Sequence, residues 1–528
     1  MTRYINQYLE KLHNANTTAS YSSLMIILVI GFLLRFYWLY AGHAYHYLAI
    51  NDEISAYQFA MRFLAGDTTT YYLGQPDFAG GKAPGPYFTL FWVAAYQLGA
   101  KTVEGALFVV MLCNTAVIVL IYRLAQQILD NRLALLTALL FATAPWTVYY
   151  AIGLWNPMML VILGALLFLA LWHVVNTDKS RSVFWVCIVL AIIPHFHMIG
   201  LFYAPAVLLV LYSMPTKLNQ RWFIVGIFSA IILYLPYLIG DGMHHWQNTQ
   251  EIIAGDGKDK FSLSVLKILT APSVVLSNLP SRWAGPEFSD YMDYGNRYFG
   301  SYIVLLIINL ISVLFCFYVI YALLADFLRL LRKHRFSLRL SFHDRPDIVF
   351  TALLIFVPLV MFLPTGHNYA TRYTIIIFPL LFITFAARWR QLHHSRYSRT
   401  VNGALIFYIL FNTYLCTSFF KYTENMLQAE KQFMPSFKKL DEIHHRLAVS
   451  IDGIPKISLS KTALSLSELE KTLLVALPTY LDIQYQYIEP HKGEKNIPLV
   501  LSPATEKVLE NDIVYRGNGI IIYRPSHS

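Results

Sequence analysis

The chain has 528 residues, of which 56% are hydrophobic and only 14% charged, with a formal net charge of +10. A mean hydropathy of +0.47 means more apolar surface than a soluble fold can hide, so a soluble enzyme is excluded. The basic excess lies between apolar segments and not on one face of a soluble domain, which excludes nucleic acid as the partner and makes Lys and Arg placement a record of membrane orientation.

In chain order, the first charge-poor window, Leu24 to Tyr40, reads as a spanning helix. It is too long for a signal-peptide core and more spans follow it, so it is expected to be an uncleaved anchor. Arg35 is an intramembrane charge within it, either snorkelling toward the outer surface or serving a function. Next comes NDEISAYQFAMRFLAGD, which predicts a helix capped by Asn51 and ended by Gly66, with Asp52 and Glu53 in its first turn. That acidic pair suits the positive end of the helix dipole, but a carboxylate held at the membrane surface can also take a proton from an acceptor hydroxyl. In GGKAPGPYF, Lys82 sits among glycines and prolines, where it is either an interfacial snorkelling cation or, with free backbone N–H groups, a phosphate anchor. The stretch Pro86 to Ala100 is short, opens on prolines and ends in Gly99, and is expected to be a half-inserted or juxtamembrane helix.

Further bilayer-length windows run over Leu133–Tyr150, Met158–Val175, Phe223–Ile239, Tyr302–Leu324, Ile348–Leu363, Tyr373–Ala387 and Leu405–Phe420. The basic runs Arg329–Arg345 and Arg388–Arg399, and the basic edges at Arg123 and Arg132, Lys179 and Arg181, and Lys217 and Arg221, are expected on the cytoplasmic side with the N-terminus. About eleven spans result, which puts the C-terminus outside. The outward parts then include the turn at Trp155 and Asn156, the turn at His195 to His197, the long loop Asp241–Arg297 with His244 and His245, and the loop holding His367, Arg372 and Tyr373. Two imidazoles flanking Phe196 are either bonded to backbone or part of a donor or weak metal site. Rings in the long loop, among them Trp246, Trp283, Tyr291, Tyr294 and the adjoining Tyr298, either stack on sugars or form an interfacial belt. All four cysteines lie in apolar stretches and read as small hydrophobes. The tail changes composition, with a charged amphipathic stretch at Glu424–Leu447 and β-like runs at Pro498–Leu501 and Ile520–Tyr523. The expected architecture is an all-α polytopic membrane domain over residues 1–420 and a small α/β extracytoplasmic domain over 421–528.

Several of these residues resemble a known family. Asp52–Glu53 after the first span, Ala60–Met61, Gly66–Asp67, and Lys82 with Pro84 and Pro86 follow the first outer loop of GT-C membrane glycosyltransferases of the protein O-mannosyltransferase and aminoarabinose transferase type. GLWNPMML, PHFHMIGLFYAP and HNYATRYTIIIFPLL are also similar to that superfamily. The resemblance implies a GT-C fold in a bacterial cytoplasmic membrane and transfer of a sugar from a polyprenyl-phosphate donor to a lipid, glycan or protein acceptor. It implies that Asp52 is the catalytic carboxylate, with Glu53 supporting the helix or a metal environment. Lys82, Arg372, Tyr373 and Arg35 would hold the donor phosphate, and Asn156, His195, His197, His244, His245 and His367 would touch substrate or metal. Relatives can place a metal-binding carboxylate where this chain has Gly81, and an Asp where it has Trp155, Asn156 and Pro157. A divalent metal therefore remains an open expectation. The rival classes are a membrane transporter and a non-catalytic scaffold that binds lipid-linked glycans.

Overall fold

The computed structural model describes residues 2–40, 51–66, 72–76, 82–153, 156–176, 181–214, 218–254, 261–278, 288–363, 371–394 and 398–428, with four strands of the tail. Six segments are long and apolar enough to cross a bilayer unaided: Ser20–Tyr40 of α1 (Thr2–Tyr40), α4 (Val103–Ile128), α10 (Gln220–Met243), α14 (Tyr302–Lys333), Tyr373–His393 and Ser398–Tyr422 of α18 (Ser398–Gln428). Six shorter apolar segments, Asn131–Thr143, Leu160–Asn176, Ser182–Phe196, Met198–Ser213, Lys267–Leu276 and Pro346–Phe362, stand between them. Between α1 and α4, the chain forms α2 (Asn51–Leu64), a hairpin of β1 (Leu73–Pro76) and β2 (Lys82–Pro84), and α3 (Tyr87–Leu98). At twelve residues, α3 reaches about 18 Å, well short of the roughly 30 Å of hydrocarbon, so it does not span.

Proline and short 3-10 turns interrupt the shorter spans. α5 (Asn131–Thr143) breaks at Ala144–Pro145 into α6 (Pro145–Tyr149), and a 3-10 turn at Asn156–Met159 leads into α7 (Leu160–Asn176). α8 (Ser182–Phe196) carries Pro194 in its last turn, and a 3-10 turn at Met198–Phe202 opens α9 (Tyr203–Ser213). After α10 the long loop forms α11 (Gln247–Ala254), α12 (Phe261–Leu276) and α13 (Phe288–Phe299) before α14. α15 (Leu338–Asp344) and α16 (Pro346–Phe362) follow, and a 3-10 helix at Thr371–Ile377 begins the span completed by α17 (Phe378–His393). In the tail, β3 (Ile457–Leu459), β4 (Leu499–Pro503), β5 (Ile513–Gly517) and β6 (Ile520–Tyr523) pair in the order β3-β4-β6-β5, with β3 and β4 parallel and the other pairs antiparallel. Of the amphipathic stretch Glu424–Leu447, residues beyond 428 lie outside the described residues.

Polar contacts gather the basic turns at one end of the bundle. Asp326 near the end of α14 takes both Arg329 and Arg388, the latter at 2.9 Å, and Arg390 reaches Asp130 at 3.1 Å. Arg339 donates to the Tyr212 carbonyl at 3.1 Å, and the Arg181 guanidinium lies 5.6 Å from the Trp222 ring. These contacts tie together the five turns that the charge pattern placed on one side. The four cysteines are free thiols, with Cys316 and Cys416 buried in the core. The tyrosines of the long loop do not form a sugar-facing shelf. Tyr294 is fully buried and bonds Ser418 Oγ at 2.7 Å, while Tyr291 accepts from Asn309 at 2.9 Å, so both rings serve packing of α13 on α14 and α18.

Two glycine contacts set the geometry at the other end. Gly99 and Gly105 cross so closely that a Cβ on Gly105 would lie 1.9 Å from the Gly99 carbonyl oxygen, which folds α3 back onto α4. A Cβ on Gly164 of α7 would lie 2.2 Å from the carbonyl oxygen of Ile376, so the glycine admits the 3-10 helix Thr371–Ile377. The obstacle is main chain and cannot rotate away. Gly164→Ala should therefore cost about 1–3 kcal/mol of stability in detergent, whereas Gly403→Ala, with nothing within 4 Å of the added carbon, should be neutral. Thermal unfolding followed by exposure of the buried cysteines measures both.

Candidate functional site

The elements that carry the candidate residues meet at the end of the bundle opposite the basic turns. α2 begins at Asn51 and stops where Gly66 adopts φ +93. Its buried Ala56 and Ala60 let it lie on α3. α2 also touches β1 and the 3-10 turn Asn156–Met159, and that turn touches α8 and the 3-10 helix Thr371–Ile377. Asp52, Glu53, Asn156 and Arg372 thus stand on adjoining pieces of backbone, although their side chains lie outside the described residues, as does all of His367.

Lys82 opens β2, whose register pairs it with Pro76. Its side chain is exposed, and among the described residues its ammonium has no hydrogen-bond or ion-pair partner. Immediately beyond it the chain is held from α8. Nδ1 of the buried His195 lies 2.8 Å from the Gly85 carbonyl oxygen and 3.1 Å from that of Pro84. Both partners can only accept, so Nδ1 carries the proton. The rings of Tyr87 and Tyr234 enclose this imidazole, each with its centroid 4.7 Å away, and Nε2 is buried without a partner among the described residues.

His197 turns the other way. Its Nδ1 accepts from the Ile199 N–H at 3.2 Å and so caps the 3-10 turn that opens α9, which puts the proton of the neutral ring on Nε2. Its ring meets that of the buried Tyr373 edge-on at 5.1 Å. The two histidines therefore have opposite tautomers and different neighbours. His244 and His245 are exposed on the tight turn after α10, where His245 and Trp246 have positive φ. Among the described residues no group of three or more His, Cys, Asp or Glu side chains is gathered to hold a metal.

Arg35 does not snorkel. Its guanidinium is fully buried, donating to the carbonyls of Gly31 at 3.0 Å and Ala142 at 3.2 Å, and to Thr147 O and Oγ1, each at 3.4 Å. The break at Pro145 removes an N–H from the helical ladder, and Thr147 Oγ1 donates to the carbonyl of Phe141 that this leaves free. Arg35 answers the next carbonyl. It thus joins α1 to the α5–α6 break, from which the chain runs on to Asn156.

Sequence reasoning missed Asp241 and Asn248. Asn248 Nδ2 donates to the Lys82 carbonyl at 3.0 Å, and Asp241 Oδ1 accepts the Asn248 main-chain N–H at 3.0 Å. The available signal was Asp241 itself, an acidic residue at the end of an apolar helix and shortly before α11, where it can cap.

Residues 82–239 match the family model described as dolichyl-phosphate-mannose-protein mannosyltransferase. That segment begins at Lys82 and takes in α3 to most of α10. Among solved structures, ArnT from Cupriavidus metallidurans bound to undecaprenyl phosphate is similar at a TM-score of 0.56 and 12% identity, with 96% of this chain and 98% of that chain covered. The fold is that of a GT-C glycosyltransferase. The Archaeoglobus fulgidus oligosaccharyltransferase in complex with Zn and sulfate is also similar, at a TM-score of 0.48 and 12% identity over 91% of this chain and 68% of that chain. No curated protein sequence matches significantly. Within the GT-C frame, Arg35 sits at the root of the loop that brings Asn156 toward α2. Arg35→Met would leave the Ala142 carbonyl unpaired at a cost of about 1–3 kcal/mol, and Arg35→Lys should recover only part of it, because one ammonium cannot reach both Ala142 and Thr147. Thermal unfolding of the three proteins in detergent checks the order.

Proposed function

We propose that the chain is a membrane glycosyltransferase that moves a sugar from a polyprenyl-phosphate donor to a lipid, glycan or protein acceptor on the outer face of a bacterial cytoplasmic membrane. The observation that carries this reading is the convergence of the elements bearing Asp52, Lys82, Asn156 and Arg372–Tyr373 beside an apolar cavity of about 320 Å³ between α8, α9 and α10. The cavity is lined by residues such as Leu190, Leu208 and Ile227 and reaches Pro194 and Tyr234. Tyr234 packs on His195, which holds the loop that follows Lys82. An isoprenoid tail suits such a lining, and a phosphate at its head would meet the exposed Lys82. The bound undecaprenyl phosphate of the similar ArnT structure favours the same class of donor.

Asp52 takes the proton of the acceptor as its oxygen or nitrogen attacks the anomeric carbon, and the bond from that carbon to the phosphate oxygen breaks. The polyprenyl phosphate leaves with the bonding electrons, and Lys82 and Arg372 stabilise the charge that collects on it. A single displacement inverts the anomeric centre. Glu53 supports the first turn of α2, and the tail 421–528 forms an outer domain beside the acceptor. With the basic turns in the cytoplasm the N-terminus is inside, as the positive-inside rule favours.

Asp52→Asn should lower release of polyprenyl phosphate from a polyprenyl-phosphate sugar by about 10²- to 10⁴-fold. Equal release rates in the purified wild type and variant would remove Asp52 as the base. For orientation, Arg332→Cys in a cysteine-free background should react with an impermeant maleimide only after the cells are opened. Labelling in intact cells would reverse the topology.

A further inference from the structure

The phosphate anchor proposed above is attached to a polar relay that runs from the end of α10. The Lys82 carbonyl cannot take a hydrogen bond from Pro76 opposite it in the hairpin, because proline has no N–H to offer. Asn248 supplies what is missing. The Lys82 N–H donates to Asn248 Oδ1 at 2.6 Å, and Asn248 Nδ2 donates to the Lys82 carbonyl at 3.0 Å. One amide plane thus pairs with both main-chain groups of one residue, as a strand neighbour would. The second Nδ2 hydrogen goes to Tyr237 Oη at 3.1 Å, so the amide has no spare donor.

Asn248 is fixed in turn. Only 5% exposed, it opens the first turn of α11, and its own N–H donates to Oδ1 of Asp241, whose side chain is fully buried. Asp241 Oδ2 accepts from the Thr249 N–H at 3.1 Å and from Thr249 Oγ1. Three donors and the positive end of α11 compensate for burying this carboxylate. The result is a rigid support under the Lys82 backbone, while the side chain above it stays exposed.

We infer that Asn248, locked by Asp241, is the positioning residue of the Lys82 anchor and sets the height and direction from which its ammonium meets a lipid phosphate. The inference rests on the proposed role of Lys82. Asn248 lies in the long outer loop, outside residues 82–239, so the anchor and its support come from separate parts of the chain.

A double-mutant cycle tests it, using undecaprenyl phosphate as the probe and the purified full chain in nanodiscs, with binding read by native mass spectrometry. Asn248→Ala should weaken binding about tenfold in the wild-type background and add nothing in the Lys82→Ala background, because it acts only through Lys82. Should Asn248→Ala fail to fold, Tyr237→Phe removes one support of the amide and keeps the ring. Its smaller loss should likewise vanish when Lys82 is alanine. Losses that add in the double variants would mean a general structural role and overturn the inference. Unchanged binding by a folded Asn248→Ala, with Lys82→Ala impaired, would overturn it and leave the anchor standing. Unchanged binding by Lys82→Ala would overturn both.

Discussion

Backbone polar groups at membrane depth have no water to turn to, so every break in a helix must be repaired by a side chain or by another strand of backbone. This chain breaks its helices repeatedly near the candidate site. At Ala144–Pro145 the repair is Arg35 with Thr147, and at the end of α8 it is His197, which caps the next 3-10 turn. His195 serves the carbonyls of Pro84 and Gly85 from a neighbouring helix. The irregular backbone around which an active site can be built thus depends on a few buried polar side chains.

That constraint explains which parts of the molecule could be read from sequence. α2 was legible because its determinants are local, a polar, acidic start at Asn51–Glu53 and a stop at Gly66. The withdrawal of α3 from the spans was legible from length and charge balance together. What Arg35 does was not legible, because its partners lie 107 and 112 residues away and are main-chain carbonyls that could belong to any sequence. Asn248 pairs with Lys82 across 166 residues, again through backbone. A side chain that bonds to main chain leaves no complementary residue to find.

The same distinction divides the candidates. Residue type left Arg35, His195, His197 and Lys82 alike open to a structural or a functional reading. Three of them have polar atoms committed to the fold, whereas the ammonium of Lys82 stands exposed and its main chain is held. Burial and hydrogen bonds to main chain separate supports from effectors. An intramembrane charge is a functional hypothesis by default, but the hydrogen bonds of Arg35 go to the carbonyls around a proline break.

A leaving phosphate gains most from a cation that need not reorganise as charge develops. A lysine side chain has four flexible bonds, so its preorganisation must come from its base. In this fold the base is fixed by Asn248 at Lys82 itself and by His195 three residues on, one from α11 and the other from α8. Fixing two points of a short loop from separate elements leaves the tip of Lys82 as the adjustable part. For the phosphate contact proposed above, a flexible reach on a rigid base lets the ammonium adjust without the loop having to move.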